Sequence, residues 1–340
     1  TYGVDYSMEG FAAFTEGRGR LVFAEGQGVV IIAVDVADDV MAEAIESIGL
    51  RIASDDEPSI RAALLIAAND TVVTTKADRG EGSFRQALLN TVRLKGPDTI
   101  TFDSVEGPFA EPQTILLESP LPPLSGEVVI DGFIPDRLWQ ASGVTLSAGG
   151  EHRVFEIAED ANVILRSFTI ADGRAETGGG LLNRGNLVVE GMLLQNNSAE
   201  TAGGGLANAG GSVSVINTTF SANSAGEQGG GMANLSGSAV VTNSTFSENA
   251  SPEAAGLSSN GALRLGNSIL AGNEGASDCY SIGLWDLASS GNLIVTSDGC
   301  KGVVSTKDPR FGFFGRYNGP TMIYPLNGDS PAINAGENAL

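Results

Sequence analysis

Ser212-Val213-Ser214-Val215-Ile216-Asn217-Thr218-Thr219-Phe220-Ser221-Ala222-Asn223 returns 26 residues later as Ser238-Ala239-Val240-Val241-Thr242-Asn243-Ser244-Thr245-Phe246-Ser247-Glu248-Asn249. Outward from this pair the pattern persists at spacings of 24 to 26 residues. One apolar column reads Val163, Leu187, Val213, Ala239, Leu263, and the next Leu165, Val189, Val215, Val241, Leu265. A third holds Ile170, Leu194, Phe220, Phe246 and Leu270, and an asparagine column holds Asn197, Asn223, Asn249 and Asn273. Glycine triplets begin at Gly178, Gly203 and Gly229. Self-similarity at this period marks a solenoid built of one structural unit per repeat.

Within each unit the apolar positions lie two apart, so Val188, Ser214, Val240 and Arg264 point the opposite way. That is strand periodicity, which disfavours helical repeats. Gly, Asn and Ser gather at the corners, where positive φ and side-chain to backbone hydrogen bonds are needed. Coils spaced about 4.8 Å apart would pair as parallel strands, with like residues stacked in files. The expected fold is mainly β, a right-handed parallel β-helix. Asn197, Asn223, Asn249 and Asn273 are expected to form a ladder satisfying turn backbone that would otherwise be buried unpaired.

Composition narrows the partners. Acidic residues outnumber basic ones 41 to 19 in 340 residues, for a formal charge of -22 and a pI near 4.2. Nucleic acid, whose backbone attracts Lys and Arg, is therefore excluded as an expected partner. Strong negative charge keeps a large β surface dispersed and invites divalent cations. No apolar run approaches the roughly 18 residues of a membrane span. The chain begins at Thr1, without methionine or a basic-then-apolar leader, which fits a trimmed product of a longer precursor. Cys279 and Cys300 flank one irregular segment. In an exported protein they form a disulfide; in a cytosolic one they stay reduced. The disulfide is the favoured reading, since zinc would need ligands that the single His152 does not complete.

Three regions are expected: residues 1–70, an N-terminal α/β cap or assembly module; 71–300, the β-helix; and 301–340, a C-terminal capping or assembly tail. In the first, Val29 to Val34 reads as a strand. A helix is expected from an Asp38 cap to Ile48, ended by Gly49, and a second from Pro58 to Asn69. A further helix from Ser83 to Arg93 places Phe84, Ala87, Leu88 and Val92 on one face, suiting a lid over the first coil.

The stretch Val72 to Asn90, with Gly80-Glu81-Gly82-Ser83-Phe84-Arg85-Gln86-Ala87 at its centre, resembles the opening of bacterial surface proteins that bear the "CSLREA" motif, often grouped as choice-of-anchor β-helix proteins. The likeness continues through Gly96-Pro97-Asp98-Thr99-Ile100-Thr101-Phe102, Pro112-Gln113-Thr114-Ile115, Pro122-Pro123-Leu124-Ser125 and Ile130-Asp131-Gly132, and ends at Ser330-Pro331-Ala332-Ile333-Asn334-Ala335-Gly336. Roughly residues 71 to 336 are covered. The resemblance implies a cell-surface β-helix and no particular activity. Gly82, Phe84 and Gln86 stand where the motif has Cys, Leu and Glu, and no anchoring segment follows Leu340.

Enzymes on this fold usually act on polysaccharides, hydrolases through paired carboxylates. Candidate pairs are Asp38-Asp39, Asp55-Asp56 and Glu159-Asp160, all at expected caps or turns. A lyase would want a basic residue beside an acidic, calcium-binding cluster. Arg166, Arg174, Arg184 and Arg264 fall in or near the coils, and the repeats around them are expected to lack stacked carboxylates. His152, the sole histidine, is a candidate general base but reads more readily as a packed residue. Calcium is weighed at Asp278, Asp286 and Asp298. Sequons begin at Asn69, Asn196, Asn217, Asn234, Asn243 and Asn249, and Asn217 and Asn243 share a column that could form a ridge for sugars or a partner. The expected function is an extracellular structural or adhesive cell-surface protein, self-associating or meeting cell-surface glycan or protein. In a sharper form the rods assemble into a filament or surface layer, joined through the strand at Gly28 to Val36 or the tail after Gly302. The alternative is a polysaccharide lyase or glycoside hydrolase.

Overall fold

The computed structural model describes residues 71–93, 98–103, 107–133, 143–284, 288–317, 319 and 321–337, together with six strands nearer the N-terminus. The chain divides into two compact units, Thr1–Asp70 and Thr71–Leu340.

In the first unit the strands pair antiparallel: Tyr6–Glu9 with Ala33–Val36, Ala13–Thr15 with Arg18–Arg20, and Glu46–Ile52 with Ile60–Ile66. The two expected helices are corrected here. Ile60–Ile66 is a strand where a helix was expected, and residues 46–48 belong to its partner. Seven paired residues outweigh the helical propensity of an Ala- and Leu-rich segment, because β preference is decided by the neighbour strand. Asp38, Asp39, Asp55, Asp56 and Pro58 lie outside the described residues, as does residue 69.

The second unit is a parallel β-solenoid of about 8 turns. A long sheet of 13 strands runs from Val72–Val73 to Ser297–Asp298, a second sheet of nine runs from Gln113–Leu116 to Val303–Ser305, and a short third sheet holds Arg174–Thr177, Ser198–Ala202 and Ser224–Ala225. Register follows the sequence columns. Val163, Leu187, Val213, Ala239 and Leu263 are successive partners, as are Leu165, Val189, Val215, Val241 and Leu265. Ile170, Leu194, Phe220, Phe246 and Leu270 do the same in the second sheet. All of these are buried, and the Phe220 and Phe246 rings stack 4.4 Å apart. Each such side chain contributes about 1.5–3 kcal/mol by leaving water.

The glycine triplets pass backbone to backbone: Gly179 N donates to Gly203 O and Gly204 N to Gly229 O. The first glycine of each triplet has positive φ, at 65°, 69° and 64°. A methyl on Gly179 or Gly204 would collide with the carbonyl of Ser198 or Ser224. Only glycine satisfies both demands.

The helix Phe84–Arg93 (α1) closes the N-terminal end of this core. Ser83 caps it, its Oγ accepting from Gln86 N at 3.2 Å. Phe84, Ala87 and Leu88 are buried, and Phe84 packs on Phe102 and Phe155. Arg85 is held by Asp78 at 2.6 Å and donates to the carbonyls of Ser119 and Pro120.

The tail does not simply cap the far end. After Val303–Ser305 joins the second sheet, the chain forms a hairpin bridged at Phe311–Leu326 and Gly315–Ile323. It then lies along the outside of that sheet. Arg316 sits beside Gly143, Thr321 Oγ1 donates to Gly191 O at 3.3 Å, and Tyr324 Oη lies 2.7 Å from Ser221 Oγ. Farther along, Asn267 Nδ2 donates to Glu337 O at 2.9 Å, and Glu337 N donates to Asn267 Oδ1 at 2.7 Å. Leu193, which alternation turns outward from the core, is 0% exposed as a result.

Candidate functional site

Two kinds of polar ladder run along the solenoid. In the first, Asn197 Nδ2 donates to Asn223 Oδ1, Asn223 Nδ2 to Asn249 Oδ1, and Asn249 Nδ2 to Asn273 Oδ1, each at 2.9 Å. Each amide also donates to a strand carbonyl, of Ile170, Leu194, Phe220 and Phe246 in turn. Gly173 N donates into the near end at Asn197 Oδ1. Asn197, Asn223 and Asn249 are fully buried. The expected ladder is thus present, and its residues hold turns together rather than face a ligand.

A second ladder escaped the sequence reading. Asn183 Nδ2 donates to Asn208 Oδ1 and Asn208 Nδ2 to Asn234 Oδ1, both at 2.8 Å, and Asn234 Nδ2 donates to Ser259 Oγ at 3.0 Å. The signal was available: Leu181, Leu206, Met232 and Leu257 each stand two residues before a ladder member. The sequons at Asn234 and Asn249 are therefore consumed by these ladders, whereas Asn196, Asn217 and Asn243 are exposed at corners with φ near 50°.

Asp278 ends the first ladder. Its Oδ1 accepts from Asn273 N at 3.2 Å and Asn273 Nδ2 at 2.8 Å. Its Oδ2 accepts from Thr296 N at 2.9 Å and Thr296 Oγ1 at 2.6 Å. Four donors occupy the lone-pair positions of a carboxylate that is 3% exposed. The calcium reading is corrected at this residue, because nothing is left to face a cation. Asp298 is exposed, Asp286 lies outside the described residues, and no group of three or more His, Cys, Asp or Glu gathers among the described residues. Beside Asp278, Cys279 and Cys300 form the expected disulfide, with Cα atoms 6.1 Å apart.

The candidate catalytic groups are placed as follows. Both ring nitrogens of His152 face backbone carbonyls, Nδ1 at 2.9 Å from Arg153 O and Nε2 at 3.1 Å from Leu117 O. The ring ties two turns together and directs no lone pair toward the surface. Glu159 and Asp160 sit exposed in a turn. Arg184 pairs with Glu156, which Arg153 also meets at 2.8 Å. Burial lowers the pKa of Arg153, with the Glu156 charge opposing that shift. Arg153 also donates to the carbonyls of Thr177 and Gly178, stapling the first glycine corner. Arg174 is exposed beside Asp172 in a corner cleft, and Arg264 lies in the outward column above Val240.

One expectation about these arginines is overturned. Arg166 lies in register between Asp131 below and Glu190 above, 3.9 Å from the Asp131 carboxylate, so stacked carboxylates do accompany it. The insertion between Gly132 and Gly143 breaks the repeat spacing, which hid Asp131 from a column reading.

What remains open is the outer face of the long sheet. Val129, Ile164 and Val188 stand in one outward file, followed by Ser214 and Val240. They floor a groove of about 390 Å³, edged by Glu127, Asn162, Asn186 and Ser212. Asn186 Nδ2 donates to Asn162 Oδ1 at 3.0 Å, a third and exposed ladder along one bank. The Asp131–Arg166–Glu190 file forms the other bank. Half-buried aliphatic side chains between polar banks, repeated once per rung, suit contact with an extended or amphipathic partner. No helix among the described residues is long and apolar enough to cross a membrane.

No protein-family profile, curated protein or solved structure matches this chain.

Proposed function

We propose that this chain is an extracellular structural or adhesive protein of the cell surface, kin to the CSLREA-motif β-helix proteins that its sequence resembles. The observation that carries this reading is the groove of the long sheet, where aliphatic and polar columns repeat across successive rungs without a gap. Such a face offers many equivalent shallow contacts, which is what adhesion needs. It does not converge on one reacting atom, as catalysis requires. The buried ladders support the same reading, since their amides brace a stiff rod. The Cys279–Cys300 disulfide accords with an oxidising exterior.

Binding of the purified protein to immobilised neutral and acidic glycans and to cell-envelope fractions tests it, run beside turnover assays on the same glycans. Retention without turnover, weakened by Ile164→Glu, is the expected result. Release of new reducing ends or of unsaturated sugars would replace the scaffold reading with the hydrolase or lyase.

A further inference from the structure

We propose that the groove of the long sheet receives the Phe313 hairpin of a second copy of this chain, joining copies head to tail; this deepens the scaffold reading and rests on it. The hairpin between Phe311 and Leu326 packs Phe311 and Phe314 on Tyr324, yet leaves Phe313 92% exposed, with Tyr317 and Ile323 exposed beside it. An isolated exposed Leu is ordinary, but an almost naked phenylalanine on a braced hairpin is a knob awaiting a socket. The groove on Val129, Ile164 and Val188, about 390 Å³, is an apolar socket with room for one aromatic ring.

Charge selects between a like copy and a foreign partner. The chain as a whole carries -22, which would push two copies apart. Residues 301–329 differ: Lys301, Lys307, Arg310 and Arg316 stand against Asp308 and Asp329. Lys301 and Lys307 are exposed, and Arg310 meets Asp329. The groove's banks are acidic, with Glu127 exposed at one side and Asp131 and Glu190 flanking Arg166 at the other. A locally basic, aromatic hairpin therefore complements a locally acidic, aliphatic groove, against the repulsion of the rest. The hairpin is moored on the second sheet by Arg316 at Gly143 and Tyr324 at Ser221. The groove lies on the long sheet, so the knob fills the socket of another molecule. Because knob and socket are different patches, the contact is heterologous and propagates into a ring or an open filament.

Sedimentation velocity on the full chain across a concentration series tests the proposal, alongside Phe313→Ser and Val188→Glu, both at surface sites and each checked by circular dichroism for an intact β signal. The wild type is expected to assemble beyond a dimer, and each variant alone to need at least tenfold higher concentration. Mixing the two variants is expected to restore a 1:1 complex, since one retains the socket and the other the knob, and to go no further. High salt is expected to weaken every such contact. A wild type that stays monomeric, variants that assemble as it does, or a mixture without complexes would overturn the proposal. A monomer that still binds glycans without turnover would sink the self-contact and leave the scaffold reading standing, whereas turnover would sink the scaffold reading whatever the assembly state.

Discussion

The two outer faces of the solenoid began with similar problems and ended differently. On the second sheet, outward Leu193, Thr219 and Ser221 are buried, because residues 311–337 lie back across the rungs and are tied down at Gly191, Ser221 and Asn267. On the long sheet, Val129, Ile164 and Val188 remain half-buried and Val240 is 36% exposed, with no segment of the same unit laid over them. One face has been made into core by the protein's own tail. The other has kept aliphatic side chains at the surface, so that face is where an outside partner gains most by displacing water.

The largest expected difference comes from placing a charge on each face. Leu193→Asp should cost more than about 4 kcal/mol in urea denaturation, since it buries an unpaired carboxylate under the tail. If instead the tail lifts away readily, the loss will be small and the covered face is not core. Next comes a contrast between ladders. Asn223→Ala removes a fully buried amide and leaves the Asn197 donors and the Leu194 carbonyl unpaired, for an expected loss of about 3 kcal/mol. Asn186→Ala, on the open bank, should change stability by less than about 0.5 kcal/mol.

How much of this was legible in the sequence depends on periodicity. The columns through Val215 and Phe220 could be read because stacking repeats one residue per rung, so every rung votes for the same register. The Asn197 ladder was legible for the same reason. Arg166 and its two carboxylates were not, because the insertion after Gly132 shifts Asp131 out of phase. The strap from Phe311 to Glu337 is aperiodic, and its partners lie 70 to 130 residues earlier, so nothing local announces it. In the N-terminal unit, Ile60–Ile66 has a helix-forming composition and is overruled by pairing with Glu46–Ile52. The groove falls between these cases: its outward positions were identified, but not which face the tail would leave uncovered.

The tail's mooring offers a pH test of intermediate size. Burial pushes the Tyr324 phenol up to about 12, with the nearby Glu248 charge adding to the rise and the Ser221 hydrogen bond opposing it. An unfolded tyrosine loses its proton around pH 10, so the folded state holds that proton more tightly. The stabilisation is complete below pH 10 and disappears as pH rises through about 12. Absorbance titration near 295 nm should find Tyr324 ionising late, and Tyr324→Phe should remove that late step while costing about 1 kcal/mol at neutral pH. An ordinary titration for every tyrosine would mean the strap is not seated. The smallest effect is expected from Val188→Ser on the open groove, under about 1 kcal/mol in stability.

Asp278 gives the asparagine file a direction. Every amide in it hands a proton donor to the rung above, and such a sequence needs a terminus that only accepts, which a carboxylate supplies. The molecule therefore has a grain, like a stack of arrows with a fixed stop. A whole 26-residue unit could be spliced between Asn223 and Asn249 without disturbing either extremity, whereas a unit appended beyond Asp278 would meet no donor to continue the line. Growth of this rod by duplication is thus an interior event, and its length can vary among descendants while both tips stay the same.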